Sequence, residues 1–149
     1  MKIYAISACL LLSLLASAAH AQDIDYLARM AEESEIKAIA VVSDVKRMGG
    51  NRDGSLFQVT FKTVYGQTPY IPNPFTAWCK TYEYAWQTRS KDMVYFKPRK
   101  GQRVYVTVSS NGGSITSFTP VTEVLEAAVR NEPYRLAYRR GEASVRPRE

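Results

Sequence analysis

Histidine and cysteine are nearly absent from this sequence, which has one histidine and two cysteines among 149 residues. The histidine, His20, and the first cysteine, Cys9, lie in the first 21 residues, which have the pattern of a cleaved secretory signal. The rest of the chain therefore has no imidazole for a Ser-His-Asp or Cys-His arrangement, or for a typical zinc or copper site. We predict a protein that is not an enzyme and binds no metal or cofactor. The alternative is an envelope enzyme that uses Asp, Glu, Tyr, Ser or Lys.

Disulfide bonds are also excluded within the mature chain, because Cys79 is its one cysteine. This is unusual for a small exported protein, and it means that the domain relies on its hydrophobic core. Cys79 lies beside Lys80, which could lower the pKa of the thiol and make it reactive. Burial as a structural thiol is the favoured interpretation, because free cysteine is among the most buried residue types.

A long hydrophobic run is missing as well. Lys2, the leucine-rich residues 10–15 and the small residues of Ala19-His20-Ala21 are the three parts of a signal peptide. The apolar part is shorter than the ~20 residues that span a bilayer, and no later stretch is apolar enough. We predict that residues 1–21 are removed and that the mature protein, beginning at Gln22, is periplasmic or secreted without a transmembrane segment.

The patterns that are present are mainly those of β-strands. Residues 36–45 are rich in β-branched side chains, and residues 38–42 are apolar on both faces, which predicts a central strand. Glycines at 49, 50 and 54 predict a loop over residues 48–54. Alternation of Phe57, Val59 and Phe61 with polar residues predicts a half-buried strand. Further strands are predicted at residues 75–86, 93–96, 103–108 and 114–119, the last two forming a hairpin.

Short helices are predicted on both sides of these strands. Residues 23–33 place apolar side chains on one helical face, and Thr122 can cap a helix over residues 121–130. Residues 135–149 are rich in arginine and poor in apolar side chains, which predicts a flexible tail. We therefore predict one domain over residues 22–134, followed by that tail.

Strands and helices in this order predict a mainly β protein: a small, partly open barrel of the OB type, with an immunoglobulin-like sandwich as the alternative. Residues 36–42 (IKAIAVV), 57–66 (FQVTFKTVYG) and 101–106 (GQRVYV) resemble strands of the netrin-like module of tissue inhibitors of metalloproteinases, complement proteins and short bacterial exported relatives. The resemblance implies the barrel. The inhibitory mechanism of that family is not implied, since it uses a mature N-terminal cysteine and several disulfides that this chain lacks.

An unusual row of aromatic and basic residues occupies the predicted third strand. By alternation, its large side chains share one face, whereas Ala77, Cys79 and Thr81 share the other. Either the large side chains fill the core, which the area buried by a tryptophan favours, or they form an exposed platform flanked by basic loops. In the second case the candidate ligand-binding residues are Trp78, Lys80, Tyr82, Tyr84, Trp86, Arg89, Lys97, Arg99, Lys100 and Arg103.

The charge balance is basic, with a net charge of +6 to which Lys2 contributes one. The leading hypothesis is an exported, non-catalytic binding protein that recognises a protein or an anionic polymer through its barrel face and basic loops. Single-stranded nucleic-acid binding on the same face is the alternative, which export disfavours. The sequence leaves the oligomeric state and the identity of the ligand open.

Overall fold

The computed structural model describes residues 26–149, so the predicted signal peptide lies outside the described residues. A helix, α1, occupies residues 26–32 of the described part, and the remaining elements follow in chain order. They are β1 (Ile36–Asn51), β2 (Gly54–Gly66), β3 (Phe75–Thr81), β4 (Arg103–Val108), β5 (Ile115–Pro120), α2 (Glu123–Asn131), a 3-10 turn (Pro133–Arg135), β6 (Leu136–Arg139) and β7 (Glu142–Val145). The prediction of a mainly β protein with a short helix near each end is confirmed. None of the described helices has the length and apolar character needed to cross a bilayer.

Five strands form one antiparallel sheet in the order β3-β2-β1-β4-β5. The first half of β1 lies at its centre because it is apolar on both faces, and Ala38, Ile39 and Ala40 are fully buried. β4 pairs with residues 36–41 only, whereas β2 accompanies β1 to its end. Residues 43–60 therefore form an extended β1–β2 arm beyond the end of β4. No continuous ladder of the described strands joins β3 to β5.

Two hydrophobic clusters cover the two faces of this sheet. The larger one contains Val59, Phe61 and Phe75, and the last two rings stack with centroids 5.0 Å apart. The other covers Tyr105 and contains Leu125 of α2. Because both faces of β4 are covered, its residues 104–108 are all buried. Burial of several large apolar side chains, each worth about 1.5–3 kcal/mol, stabilises the domain without the disulfides on which many small domains depend.

The C-terminal segment is a hairpin rather than the predicted flexible tail. β6 and β7 pair with each other, and Leu136 and Ala143 are buried in the second cluster. The backbone N–H of Ala143 donates to Thr119 Oγ1 at 2.8 Å, which attaches the hairpin to β5. The arginine-rich composition was misleading because the few apolar residues stand where they meet the sheet. The prediction of a flexible tail is wrong for residues 136–145.

Some predicted boundaries are also wrong. β1 continues through Gly49 and Gly50, which follow a bulge at Met48 and still pair with β2. The chain reverses only between Asn51 and Gly54. The third strand ends at residue 81 instead of 86. Of the strand predicted at residues 93–96, only Tyr95 forms a bridge. The predicted cap of α2 is confirmed, because the side chain of Thr122 accepts a hydrogen bond from the N–H three residues later.

Candidate ligand-binding face

The side chains of β3 alternate between the core and solvent, and the tryptophan faces solvent. Ala77 and Cys79 are buried, whereas Trp78 between them is 43% exposed. Ala77 and Cys79 lie opposite Val59 and Phe57, which belong to or pack against the larger cluster. On this core-facing side, large apolar side chains of β2 fill most of the space, so only small side chains of β3 fit beside them. The favoured prediction that this tryptophan fills the core is wrong, and the exposed alternative describes its position.

Trp78 borders a shallow groove on the outer face of β2 and β3. Gln58 lies opposite Trp78, and Leu56 lies opposite Lys80. The groove has a volume of about 440 Å³, and the exposed side chain of Met48 also lines it. It therefore combines an indole and two aliphatic side chains with one amide and one ammonium group. Such a surface can stack against a flat ring while the polar groups fix its orientation.

A second, smaller depression is also lined by Trp78. It has a volume of about 180 Å³ and is lined by Leu27 and Met30 of α1 and by Met93 and Phe96 of the segment before β4. Trp78 thus lines two mainly apolar depressions. This arrangement could not be found from the sequence, because α1 and residues 93–96 are distant along the chain.

The other aromatic candidates lie beyond the end of β3. Tyr82 is partly buried, whereas Tyr84 and Trp86 are exposed, and the last two rings stack with centroids 5.9 Å apart and 10° between their planes. Arg47 places its guanidinium over the ring of Tyr84 at 5.8 Å. Arg47 lies opposite Phe57, whose side chain is on the core side of β2. The stack of Tyr84 and Trp86 is therefore on the opposite face of the sheet from Trp78. The aromatic row does not form one platform.

A buried glutamine holds the turn that carries this stack. Gln87 accepts hydrogen bonds from the backbone N–H groups of Glu83 and Tyr84, and it donates to Asn51 O and Ser55 Oγ. Its side-chain amide therefore joins the turn to the tip of the arm. A hydrogen bond from Ser55 and the neighbouring Arg47 hold the pKa of Glu83 below its usual value.

The basic candidates other than Lys80 are spread over three places. Arg89 lies over the ring of Tyr82 at 5.1 Å. The turn that precedes β4 exposes Lys97, Arg99 and Lys100.

Arg103 lies elsewhere, where it forms an ion pair with Glu126 of α2. This pairing raises the pKa of Arg103 and lowers the pKa of Glu126. Of the ten predicted ligand-binding residues, the structure brings only Trp78 and Lys80 together at the groove. It adds Met48, Leu56 and Gln58, which sequence reasoning missed. The alternation of residues along β2 predicts that Gln58 faces outward. Only the register of β2 with β3, which the sequence does not give, shows that Gln58 lies opposite Trp78.

Cys79 has the surroundings of a structural thiol. It is 2% exposed, and burial raises its pKa to about 11. We expect iodoacetamide at pH 8 to modify Cys79 in the folded protein at least about a hundredfold more slowly than in the urea-unfolded chain, because the thiolate fraction is smaller. Mass spectrometry of quenched samples measures both rates. Similar rates in the two states would contradict this assignment.

Metal-binding groups are not apparent in residues 26–149, where no three His, Cys, Asp or Glu side chains are placed to hold an ion. Comparison with known proteins adds no assignment: no family model, no curated protein and no solved structure matches this chain.

Proposed function

We propose that this chain is a non-catalytic binding protein of the periplasm or the cell exterior, and that the groove beside Trp78 is its ligand site. The observation that carries the proposal is the exposure of this indole, which lines two mainly apolar depressions. Burial of an aromatic side chain stabilises a protein by about 1.5–3 kcal/mol, and this one forgoes part of that gain. An exposed apolar groove with a few polar groups is typical of a binding site.

The proposal includes an OB-type barrel that is closed only in part. Its support is the approach of β3 to the other edge of the sheet: Trp78 and Ser114 form a parallel bridge, and Trp78 N–H donates to Gly113 O at 2.9 Å. Beyond the bridge, Phe96 N–H donates to Lys80 O at 2.9 Å. OB-type barrels bind ligands on the face of their second and third strands. In the proposed barrel, the groove on β2 and β3 would correspond to that face, and the proposal includes a netrin-like subtype.

The groove best fits an anionic polymer that contains rings. Lys46 lies beside Gln58 across β1 and β2, and Lys80 lies beside Trp78 on β3, so ammonium groups accompany the indole. An acidic polysaccharide provides both flat ring faces and negative charge, and export favours it. Single-stranded nucleic acid is the second candidate, because an exposed indole with ammonium groups beside it can stack a base and contact the phosphate backbone.

Replacement of the indole tests this site. For Trp78→Ala we expect binding to a labelled heparin oligosaccharide to weaken by about tenfold or more, since one stacked ring contributes about 1–3 kcal/mol. Trp86→Ala is the matched control, because it removes an exposed tryptophan from the other face and is expected to change the affinity by less than about twofold. Fluorescence anisotropy with the full mature chain measures the affinities at several salt concentrations.

A labelled oligothymidylate is titrated in parallel, and tighter binding of this probe would assign nucleic acid as the ligand. Real binding of either polyanion must weaken as salt increases. If neither probe binds the unmodified protein at low salt, or if Trp78→Ala binds both as tightly, the proposed site is wrong.

A further inference from the structure

The second half of β1 has no neighbouring strand on the side opposite β2. The β1–β4 ladder ends at Val41, and the last contacts beyond it are the hydrogen bonds that Val42 exchanges with Gly101 and Gln102 at 2.8 and 2.9 Å. In the described residues, no further backbone group pairs with residues 43–50 on that side. An open edge about 25 Å long therefore presents unpaired N–H and C=O groups to solvent.

The two outer strands of this sheet, β3 and β5, each meet another segment of the chain. The turn before β5 meets β3, where Gly112 N–H donates to Thr76 O at 2.8 Å. The C-terminal hairpin meets β5, where Phe118 N–H donates to Gly141 O at 2.8 Å. Exposed edges favour pairing with another chain, and proteins usually cover or interrupt them. On the open edge of β1, only the bulges near Ser43 and Met48 interrupt the regular strand.

Basic residues lie on this open edge and at one end of it. Lys46 lies on it, and the turn that contains Lys97, Arg99 and Lys100 ends where β1 loses its pairing with β4. All four side chains belong to exposed residues, and none forms an ion pair within residues 26–149. Asp44 is the one acidic residue among residues 43–50. Most of the charge near the edge is therefore positive and available to a partner.

We propose that the open edge of β1 binds an extended acidic segment of another polypeptide, which adds to the sheet as a further strand. Strand addition satisfies the unpaired backbone groups and gives the complex its register. Carboxylates of the segment would face Lys46 and the turn at residues 97–100. A polypeptide is favoured over other polyanions because its N–H and C=O groups repeat at the spacing of the edge. A second copy is disfavoured because it carries the same basic residues.

The probe is a labelled, end-capped octapeptide of alternating glutamate and valine, titrated by anisotropy into the full mature chain. We expect saturable binding that weakens with salt. Two further peptides carry N-methyl groups on alternate residues, one on the odd and one on the even positions. Because only one set of N–H groups faces the edge, one of these peptides should lose binding by about tenfold or more and the other should retain it.

Charge reversal locates the site on the protein. Lys97→Glu/Arg99→Glu/Lys100→Glu should weaken binding by about tenfold or more. The matched control, Arg139→Glu/Arg140→Glu/Arg146→Glu, changes the net charge equally on the C-terminal hairpin and should have a much smaller effect. Trp78→Ala should leave peptide binding unchanged, which separates this site from the groove.

Hydrogen exchange gives an independent measurement: alternate amides in residues 43–50 should gain protection when the peptide binds. Equal loss of binding by both charge variants, equal behaviour of both N-methylated peptides, or tighter binding of an oligothymidylate to the same basic turn would overturn the proposal. Sedimentation that reveals a dimer formed through this edge, without peptide, would also overturn it.

Discussion

Removal of residues 133–149 is expected to lower the melting temperature by more than about 15 °C or to prevent folding. The truncation exposes the second hydrophobic cluster, in which Leu136 and Ala143 cover Tyr105 and α2. Loss of two to three buried apolar side chains costs about 5 kcal/mol, which is comparable to the whole stability of many domains. Each kcal/mol corresponds to about 3–6 °C for a chain of this size.

Thermal unfolding followed by circular dichroism measures this effect on a protein that begins at Gln22. The control removes only residues 147–149, which lie after β7 and contribute an exposed ion pair between Arg148 and Glu132. That deletion should cost less than about 1 kcal/mol. An equally small effect of both deletions would show that the hairpin does not belong to the cooperative domain.

Gly141→Ala is expected to destabilise the protein by about 3 kcal/mol. This glycine has a φ of 78°, a conformation that costs other residues about 1–2 kcal/mol. An added Cβ would also lie 2.7 Å from Val94 Cγ1 and 2.8 Å from ring atoms of Phe96. Phe96 packs against Phe118, so its ring cannot move away without disturbing the core, and such overpacking costs about 1–3 kcal/mol.

Gly101→Ala is the matched control, because this glycine has a φ of 89° but an added Cβ would meet nothing within 4 Å. Its cost should be limited to the conformational contribution, about 1–2 kcal/mol. Urea unfolding of both variants gives the two free energies. If the two substitutions have the same effect, the close packing of the turn at Gly141 against residues 94 and 96 contributes nothing to stability.

Patterns within one segment of the sequence correctly predicted the strands and helices whose conformation depends mainly on the residues of that segment. β2 follows the alternation of Phe57, Val59 and Phe61, and the cap of α2 follows from a threonine placed before an apolar helical stripe. The loop at Gly49 and the flexible tail were mispredicted for a different reason. A glycine fits a bulge as well as a loop, and an arginine-rich segment folds when its few apolar side chains meet an apolar surface already present.

The sequence by itself determined the mainly β class, the short helices near its ends and the two-sided burial of the first half of β1, because these depend on periodicity along one segment. Only the tertiary structure decided which face of β3 meets solvent. Phe57 and Val59 fill the space opposite Cys79 and Ala77, so Trp78 has no room inside. The tertiary structure also decided that the candidate residues lie on several separate surfaces. The register between strands and the point where β3 ends depend on packing between distant parts of the chain.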